Sequence, residues 1–143
     1  MKILFLGSNP SVKSATLEPF WKNTNSMATL SKWIEQLPLN DKVELHFLNI
    51  SNTPTEENRP LRVSEIKSNL SRLEEDIIRL QPERIVALGR SAERALTFLG
   101  TSHYCMPHPS GLNRKLNDGD FMQEKIMGLQ TYIDNPIAFL SIK

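Results

Sequence analysis

The sequence predicts an α/β protein, a three-layer α/β/α sandwich around a central four-stranded, mainly parallel sheet. The first observation is that short apolar runs alternate with longer segments whose apolar residues recur every three or four positions. The second is the regularity of this alternation, which is typical of parallel strands joined by right-handed crossover helices. The third is that 143 residues without an internal repeat or an obvious linker suit one domain, which we expect to span residues 1–143.

The first half of the chain contains two predicted strands and one predicted helix. Residues 3–6 form a continuous apolar run that ends in the turn-forming residues 7–10, as expected for a buried strand. Apolar residues at helical spacing follow over 27–37, and a proline ends that helix. Residues 43–48 are the second predicted strand, which ends near Asn49.

The second half of the chain repeats the alternation. After a polar connection that contains proline, helical spacing resumes over 66–80. Residues 85–89 are the third predicted strand, and Ser91 is predicted to cap the helix that follows. Residues 104–106 are the fourth predicted strand, and the last helix is predicted to begin near Asp120.

Composition and charge exclude several classes of protein. The 17 basic and 16 acidic residues give a net charge of +1, so a polyanion-binding protein of this kind would have to concentrate its positive charge locally. A single cysteine, Cys105, excludes an internal disulfide and an all-cysteine metal site. The apolar run at the N-terminus is too short for a signal peptide or a membrane span, and no longer run follows. We therefore expect a cytoplasmic protein with no membrane partner.

Polar segments follow three of the four predicted strands. Residues 7–11 follow the first strand, Asn49 the second and residues 108–114 the fourth. Open parallel sheets bind ligands outside the carboxyl ends of their strands, so we expect these segments to converge on one crevice. Each segment alone also has a structural interpretation, as turn residues or as a buried histidine. Residues 89–91, after the third strand, are interpreted as turn and capping residues.

Two of these segments together resemble the signature motifs of the uracil-DNA glycosylase superfamily. The first motif is a Gly-x-(Asp/Asn)-Pro turn directly after strand one, and the second is a His-Pro-Ser turn late in the chain. Residues 7–10 match the first motif, with Asn9 in the water-positioning slot, as in the mismatch-specific and single-strand-selective branches. Residues 108–110 match the second motif, and His108 falls on the catalytic histidine.

The middle of the chain is similar to the thermophilic family 4 enzymes of that superfamily. Those enzymes have a strand that ends in Asn, a Pro-rich connection with Asn-Arg, a helix, a Val-x-Ala-Leu-Gly strand and an Ala-rich helix. Residues 47–49, 58–60, 65–80 and 86–96 follow the same order. The four cysteines that hold the iron–sulfur cluster of those enzymes are missing. No cluster, metal or other cofactor is therefore expected.

The resemblance also implies residues that bind the substrate. Phe20 would stack on the extruded base, with Trp21 as the rival candidate. The amide of Asn49 would read the Watson–Crick edge of uracil, with Asn52 as a weaker candidate, and Ser8 would also contact the base. The DNA would be contacted by Ser11, Ser110, Leu112, Arg114 and Lys115, with Lys13, Arg59 and Arg62 on the same rim.

The implied activity is hydrolysis of the N-glycosidic bond of uracil flipped out of DNA, which leaves an abasic site, as in base excision repair. Asn9 would hold the attacking water, and His108 would donate a hydrogen bond to O2 of the leaving base. Because no lysine is placed to form a Schiff base, we expect a monofunctional enzyme, and we expect it to be a monomer acting on single- or double-stranded DNA. Three alternatives stay open: a modified pyrimidine such as hydroxymethyluracil as the target, a catalytically silent member that binds DNA or nucleotide as a sensor or inhibitor, and a domain that acts on free nucleosides.

Overall fold

The computed structural model describes residues 1–9, 25–53, 55–56, 59–109 and 117–136. In this part of the chain, strands and helices alternate as the sequence predicts. The strands are β1 (Lys2–Gly7), β2 (Glu44–Asn49), β3 (Arg84–Leu88) and β4 (Tyr104–Met106), and the helices are α1 (Asn25–Glu35), α2 (Val63–Leu80), α3 (Arg90–Leu99) and α4 (Gly119–Asp134). None of the described helices is both long and apolar enough to cross a membrane.

The strands form one parallel sheet in the order β2-β1-β3-β4. The register places Gly7 of β1 beside Asn49 of β2, and Leu88 of β3 beside Met106 of β4. Because every pair is parallel, the carboxyl ends of all four strands lie along one side of the sheet, which we call the carboxyl edge. The predicted α/β class with a four-stranded, mainly parallel sheet is confirmed.

Alternate residues of β1 point to opposite faces of the sheet, and each face is covered by two helices. Helices α1 and α4 cover one face, and α2 and α3 cover the other, which gives the three predicted layers. The first core contains Ile3, Phe5, Leu30, Trp33, Val86, Leu88, Leu129 and Tyr132. The second core contains Leu4, Leu6, Ile66, Leu73, Ile85, Ala87, Ala92 and Leu96.

The start of α3 differs from the prediction. Strand β3 ends at Leu88, and α3 begins at Arg90 with Gly89 as its N-cap. Ser91 therefore lies inside the helix, so its prediction as the cap is wrong. Serine is a common N-cap residue, but here Gly89, which has a positive φ of +92°, caps the helix two residues earlier.

The start of α4 also differs slightly from the prediction. The N-cap is Asp118, whose side chain accepts a hydrogen bond from the backbone N–H of Phe121 at 3.0 Å. The sequence offers two aspartates here, and both are good capping residues. The prediction that the helix begins near Asp120 is thus slightly late, because local preference alone does not decide between them.

Candidate active site

The predicted site residues that the structure describes lie at the carboxyl edge of the sheet. Ser8 and Asn9 follow β1, Asn49 is the last residue of β2, and His108 lies just beyond β4. The remaining predicted site residues fall outside the described part of the chain, and their roles stay predictions. They are Phe20 and its rival Trp21, together with Ser11, Lys13, Ser110, Leu112, Arg114 and Lys115.

Hydrogen bonds hold the side chain of Asn9 in one orientation. Its Nδ2 donates to the carbonyl oxygen of Thr53 at 3.3 Å, and the Ser8 hydroxyl donates to its Oδ1 at 3.0 Å. Since a carbonyl oxygen can only accept a hydrogen bond, the amide nitrogen has to face Thr53. Thr53 lies in the connection between β2 and α2, so this contact ties the turn after β1 to its neighbour. The Ser8 hydroxyl contacts Asn9 here, and its contact with a base stays a prediction.

Asn49 is buried at the same edge, whereas the rival candidate Asn52 is exposed. Arg72 of α2 donates to the carbonyl oxygen of Asn49 at 3.4 Å and to that of Ile50. The same guanidinium forms an ion pair with Asp76 at 3.1 Å. Arg72 therefore fixes the backbone that carries Asn49. Arg72 was not predicted from the sequence, since nothing in the helical pattern distinguishes it from other surface arginines.

Burial controls the protonation state of His108. The side chain is largely buried, and this burial lowers the pKa of the imidazole from 6.5 to about 4. The ring is therefore neutral at pH 7, with one nitrogen that donates a hydrogen bond and one that accepts. A neutral ring can donate to an anion that develops during a reaction without first having to gain or lose a proton.

Because Gly89 has no side chain, it leaves room for the side chain of His108 next to it. Its φ of +92° and ψ of 178° belong to a region that is essentially limited to glycine. A Cβ atom on Gly89 would lie 3.0 Å from Cβ and 3.3 Å from Cδ2 of His108. The Gly89 N–H also donates to the carbonyl oxygen of Met106 at 2.9 Å, which ties the ends of β3 and β4 together. The interpretation of residues 89–91 as turn and capping residues is therefore incomplete. A glycine at the end of a strand was the available signal.

A cleft of about 440 Å³ opens beside His108 at the β4 side of the carboxyl edge. This volume is within the range of small-molecule sites. Ser8, Asn9 and Asn49 are not among the described residues that line it. Its described lining residues are Gly89, Arg90, Glu93, Cys105, Met106, Pro107, His108, Phe121 and Lys125.

The described site residues thus form two groups along the carboxyl edge. Asn9 and Asn49 lie at the ends of β1 and β2, and Gly89 and His108 lie at the ends of β3 and β4. One strand separates β1 from β4, which places their ends about 10 Å apart at the usual strand spacing. A ligand can lie between two groups at this separation. Within the described ranges, no three His, Cys, Asp or Glu side chains are grouped to hold a metal ion.

Arg59 takes part in an ion pair within the chain. Its guanidinium nitrogens lie 2.7 and 3.2 Å from the carboxylate oxygens of Glu65 near the start of α2. This hydrogen bonding lowers the pKa of Glu65 to about 2. The Thr55 hydroxyl donates to the carbonyl oxygen of Arg59, so the segment is held at several points. These contacts favour a structural role for Arg59 over its predicted place among cations that face DNA.

Comparison with known proteins identifies the family of the chain. No curated protein gives a significant match. The family model of the uracil DNA glycosylase superfamily, by contrast, matches residues 1–129. This match spans all four strands of the sheet, together with the two segments that carry Asn9 and His108. The chain therefore belongs to the uracil DNA glycosylase superfamily.

Proposed function

We propose that the chain is a monofunctional DNA glycosylase, which hydrolyses the N-glycosidic bond of uracil, or of a closely related modified pyrimidine, flipped out of DNA. Membership of the uracil DNA glycosylase superfamily supports this class of reaction. The observation that carries the proposal is a neutral His108 at the carboxyl edge, where parallel sheets bind their ligands. The product would be an abasic site in DNA together with the free base.

His108 would stabilise the leaving base. As the N1–C1′ bond breaks, the electron pair of that bond departs with the base, and negative charge develops on its O2 atom. A preorganised hydrogen-bond donor at this position contributes about 3–4 kcal/mol to the transition state. Burial strengthens the contribution of the imidazole N–H, because little water competes with it for the developing charge.

Asn9 would hold the water that attacks the sugar. Loss of the base leaves an oxocarbenium-like sugar, and the water oxygen adds to C1′ while one of its protons passes to solvent. The departed base, an anion when it leaves, takes up one proton from solvent. An amide is too weak a base to take the proton of the water, so its contribution is the position of the water. The hydrogen bonds of Asn9 to Thr53 and from Ser8 fix the amide before the substrate arrives.

Asn49 and Phe20 would select the base. The amide of Asn49 can donate to O4 and accept from N3–H of uracil, whereas cytosine presents the opposite pattern. Asn49 is only 3% exposed, and a buried amide discriminates strongly because a wrong partner leaves its polar atoms without compensation from water. Phe20 would add stacking of about 1–3 kcal/mol on the flipped base, and Ser8 would contact its edge.

The segments that follow β1 and β4 would bind the DNA. Ser11 and Ser110 would donate to phosphates, Arg114 and Lys115 would pair with them, and Leu112 would fill the gap left by the flipped base. With a net charge of +1, the affinity for undamaged DNA would depend on these local contacts and would fall steeply with added salt. We propose a cytoplasmic monomer as the active form.

The test is a cleavage assay on labelled single- and double-stranded oligonucleotides that carry uracil, hydroxymethyluracil or hypoxanthine. Alkali then cuts each abasic site and reveals excision as a shorter strand. We expect uracil-dependent cleavage, with the His108→Ala variant slower by about 100- to 1000-fold because it loses the donor at O2. Asn9→Ala should also be strongly impaired.

His46→Ala is the matched control, because His46 contacts Glu44 at a partly exposed position of β2, away from the carboxyl edge. This variant should cleave at the wild-type rate. If no oligonucleotide is cleaved while DNA binding is retained, the chain is a silent binder and the proposal is wrong. Cleavage that survives both His108→Ala and Asn9→Ala would contradict the assigned roles instead.

A further inference from the structure

Position 9 belongs to a closed ring of hydrogen bonds at the carboxyl edge. The backbone N–H of Ser51 donates to the carbonyl oxygen of Ser8 at 2.9 Å. The backbone N–H of Thr53 donates to the Ser51 hydroxyl at 3.1 Å. Asn9 Nδ2 donates to the Thr53 carbonyl at 3.3 Å, and the Ser8 hydroxyl closes the ring on Asn9 Oδ1 at 3.0 Å. Each member of the ring is thus held by its neighbours.

These two contacts of the Asn9 amide place different chemical requirements on residue 9. The hydroxyl of Ser8 can donate to the oxygen of an amide or to that of a carboxylate. The carbonyl oxygen of Thr53 can only accept, so it requires an N–H or O–H group on residue 9. A carboxylate in place of the amide would bring a negatively charged oxygen to the position of Nδ2, at 3.3 Å from another oxygen.

Thr53 is exposed, but hydrogen bonds to Ser51 restrict the rotation of its carbonyl away from such a clash. Ser51 is buried, and its hydroxyl both accepts from the Thr53 N–H and lies 3.5 Å from the Thr53 carbonyl oxygen. The Ser51 backbone is in turn bonded to Ser8, next to residue 9 itself. Hydrogen bonds linked in this way reinforce one another, so that moving one group disturbs the others.

We propose that this ring makes position 9 selective for an amide, with the Thr53 carbonyl as the group that excludes a carboxylate. The inference rests on the proposed function in one respect, namely that residue 9 holds the attacking water. The new element is the reason why residue 9 is a neutral amide: Thr53, in the connection between β2 and α2, presents a carbonyl oxygen that requires a hydrogen-bond donor on residue 9. Exchange of Asn9 for aspartate would therefore impair this protein at neutral pH, although aspartate could supply more electrostatic stabilisation of the sugar cation.

The first test measures folding and needs no substrate. In the Asn9→Asp variant, a protonated carboxyl can still donate to the Thr53 carbonyl, whereas the ionised form cannot. The folded state therefore keeps the proton to higher pH than the unfolded chain does, and stability relative to wild type falls as pH rises. We expect the unfolding midpoint to lie about 3–6 °C below wild type at pH 8, as for a tenfold change in the unfolding equilibrium, and the gap to shrink to about half that size at pH 4.5.

Asn40→Asp is the matched control for introducing a carboxylate. Asn40 is exposed, and its side-chain oxygen accepts from the backbone N–H of Lys42 at 2.8 Å, a contact that a carboxylate keeps. This variant should show no loss of stability between pH 4.5 and pH 8. The charged groups Glu56, Arg59 and Glu65 and the imidazole of His108 are present in every variant, so the comparison with wild type isolates the effect of residue 9. An Asn9→Asp midpoint that follows wild type at every pH overturns the inference.

The second test measures single-turnover excision from a uracil oligonucleotide. We expect Asn9→Asp to be slower than wild type by about tenfold or more at pH 7.5, with a deficit that shrinks towards pH 5.5 as the carboxyl regains its proton. Excision by Asn9→Asp at or above the wild-type rate at pH 7.5 overturns amide selection. If wild type excises nothing, the proposed function fails, and the unfolding measurement alone decides whether the ring selects an amide.

A third variant tests the ring directly. Ser51→Ala removes the hydroxyl that holds the Thr53 peptide, so the carbonyl gains freedom to turn away from a carboxylate. The loss of stability caused by Asn9→Asp at pH 8 should then be smaller in the Ser51→Ala background than in wild type. Ser68→Ala serves as the control, since Ser68 is exposed on α2 and bonds only locally to Glu65. An equal loss in both backgrounds contradicts the role given to the ring.

Discussion

Replacement of Gly89 by alanine tests how the fold positions His108. The backbone of Gly89 has a φ of +92° and a ψ of 178°, a conformation that costs an alanine about 1–3 kcal/mol. The new Cβ would also lie 3.0 Å from Cβ of His108, which is closer than such atoms normally approach. Gly89 itself cannot easily retreat, because its N–H donates to Met106 and its carbonyl accepts from Glu93. The imidazole therefore has to move.

Two measurements separate the loss of stability from the displacement of the ring. Denaturant unfolding should show Gly89→Ala to be less stable than wild type by about 1–3 kcal/mol. An NMR titration of the His108 ring should show its pKa moving up from about 4 towards 6.5, since a displaced ring gains contact with water. Excision of uracil should slow by about 10- to 100-fold as the donor leaves its position.

Gly100→Ala is the matched control for backbone strain. Gly100 also has a positive φ, +68°, but a Cβ there would meet no atom within 4 Å. Its replacement should reduce stability by about 1–2 kcal/mol and leave both the His108 pKa and the excision rate unchanged. If Gly89→Ala and Gly100→Ala give the same His108 pKa and the same rate, the reasoning about contact with Gly89 is refuted.

Three further predictions concern the fold and the site. The pKa of His108 is lower in the folded state than in the unfolded chain, so the unfolded chain binds more protons between pH 6.5 and pH 4. Stability should therefore fall over that range as pH is lowered, by about 3.4 kcal/mol at most. His108→Gln should lack this dependence in unfolding experiments. Arg72→Ala should remove the Arg72 hydrogen bonds to the carbonyls of Asn49 and Ile50 and lower stability by about 1–2 kcal/mol. It should also raise KM for uracil DNA several-fold, and an unchanged KM in steady-state kinetics would argue against a positioning role. Asp118→Ala should lower the free energy of unfolding by about 1 kcal/mol through loss of the α4 cap and leave the excision rate unchanged. A variant as stable as wild type in denaturant would contradict the assigned cap.

The sequence alone determined the class of fold, because the signals for it are local. The apolar run of residues 3–6 marks a strand buried on both faces, and the helical spacing over 66–80 marks an amphipathic helix, without reference to any distant residue. The motifs around Asn9 and His108 were also sufficient to indicate the superfamily that the family match establishes. Parallel topology then brings both motifs to the carboxyl edge, since every strand runs in the same direction.

Only the tertiary structure decided which residues support those motifs. The positive φ of Gly89 has its consequence through His108, which is distant in the chain, and the orientation of the Asn9 amide depends on a carbonyl oxygen of Thr53. Likewise, Arg72 became a candidate positioning residue through its contacts with the backbone after β2. Such contacts arise where parallel strands align their ends, and neither composition nor periodicity encodes which atoms then meet. The pKa of His108 is similar, because its cause is burial by the folded chain and not its neighbours in sequence.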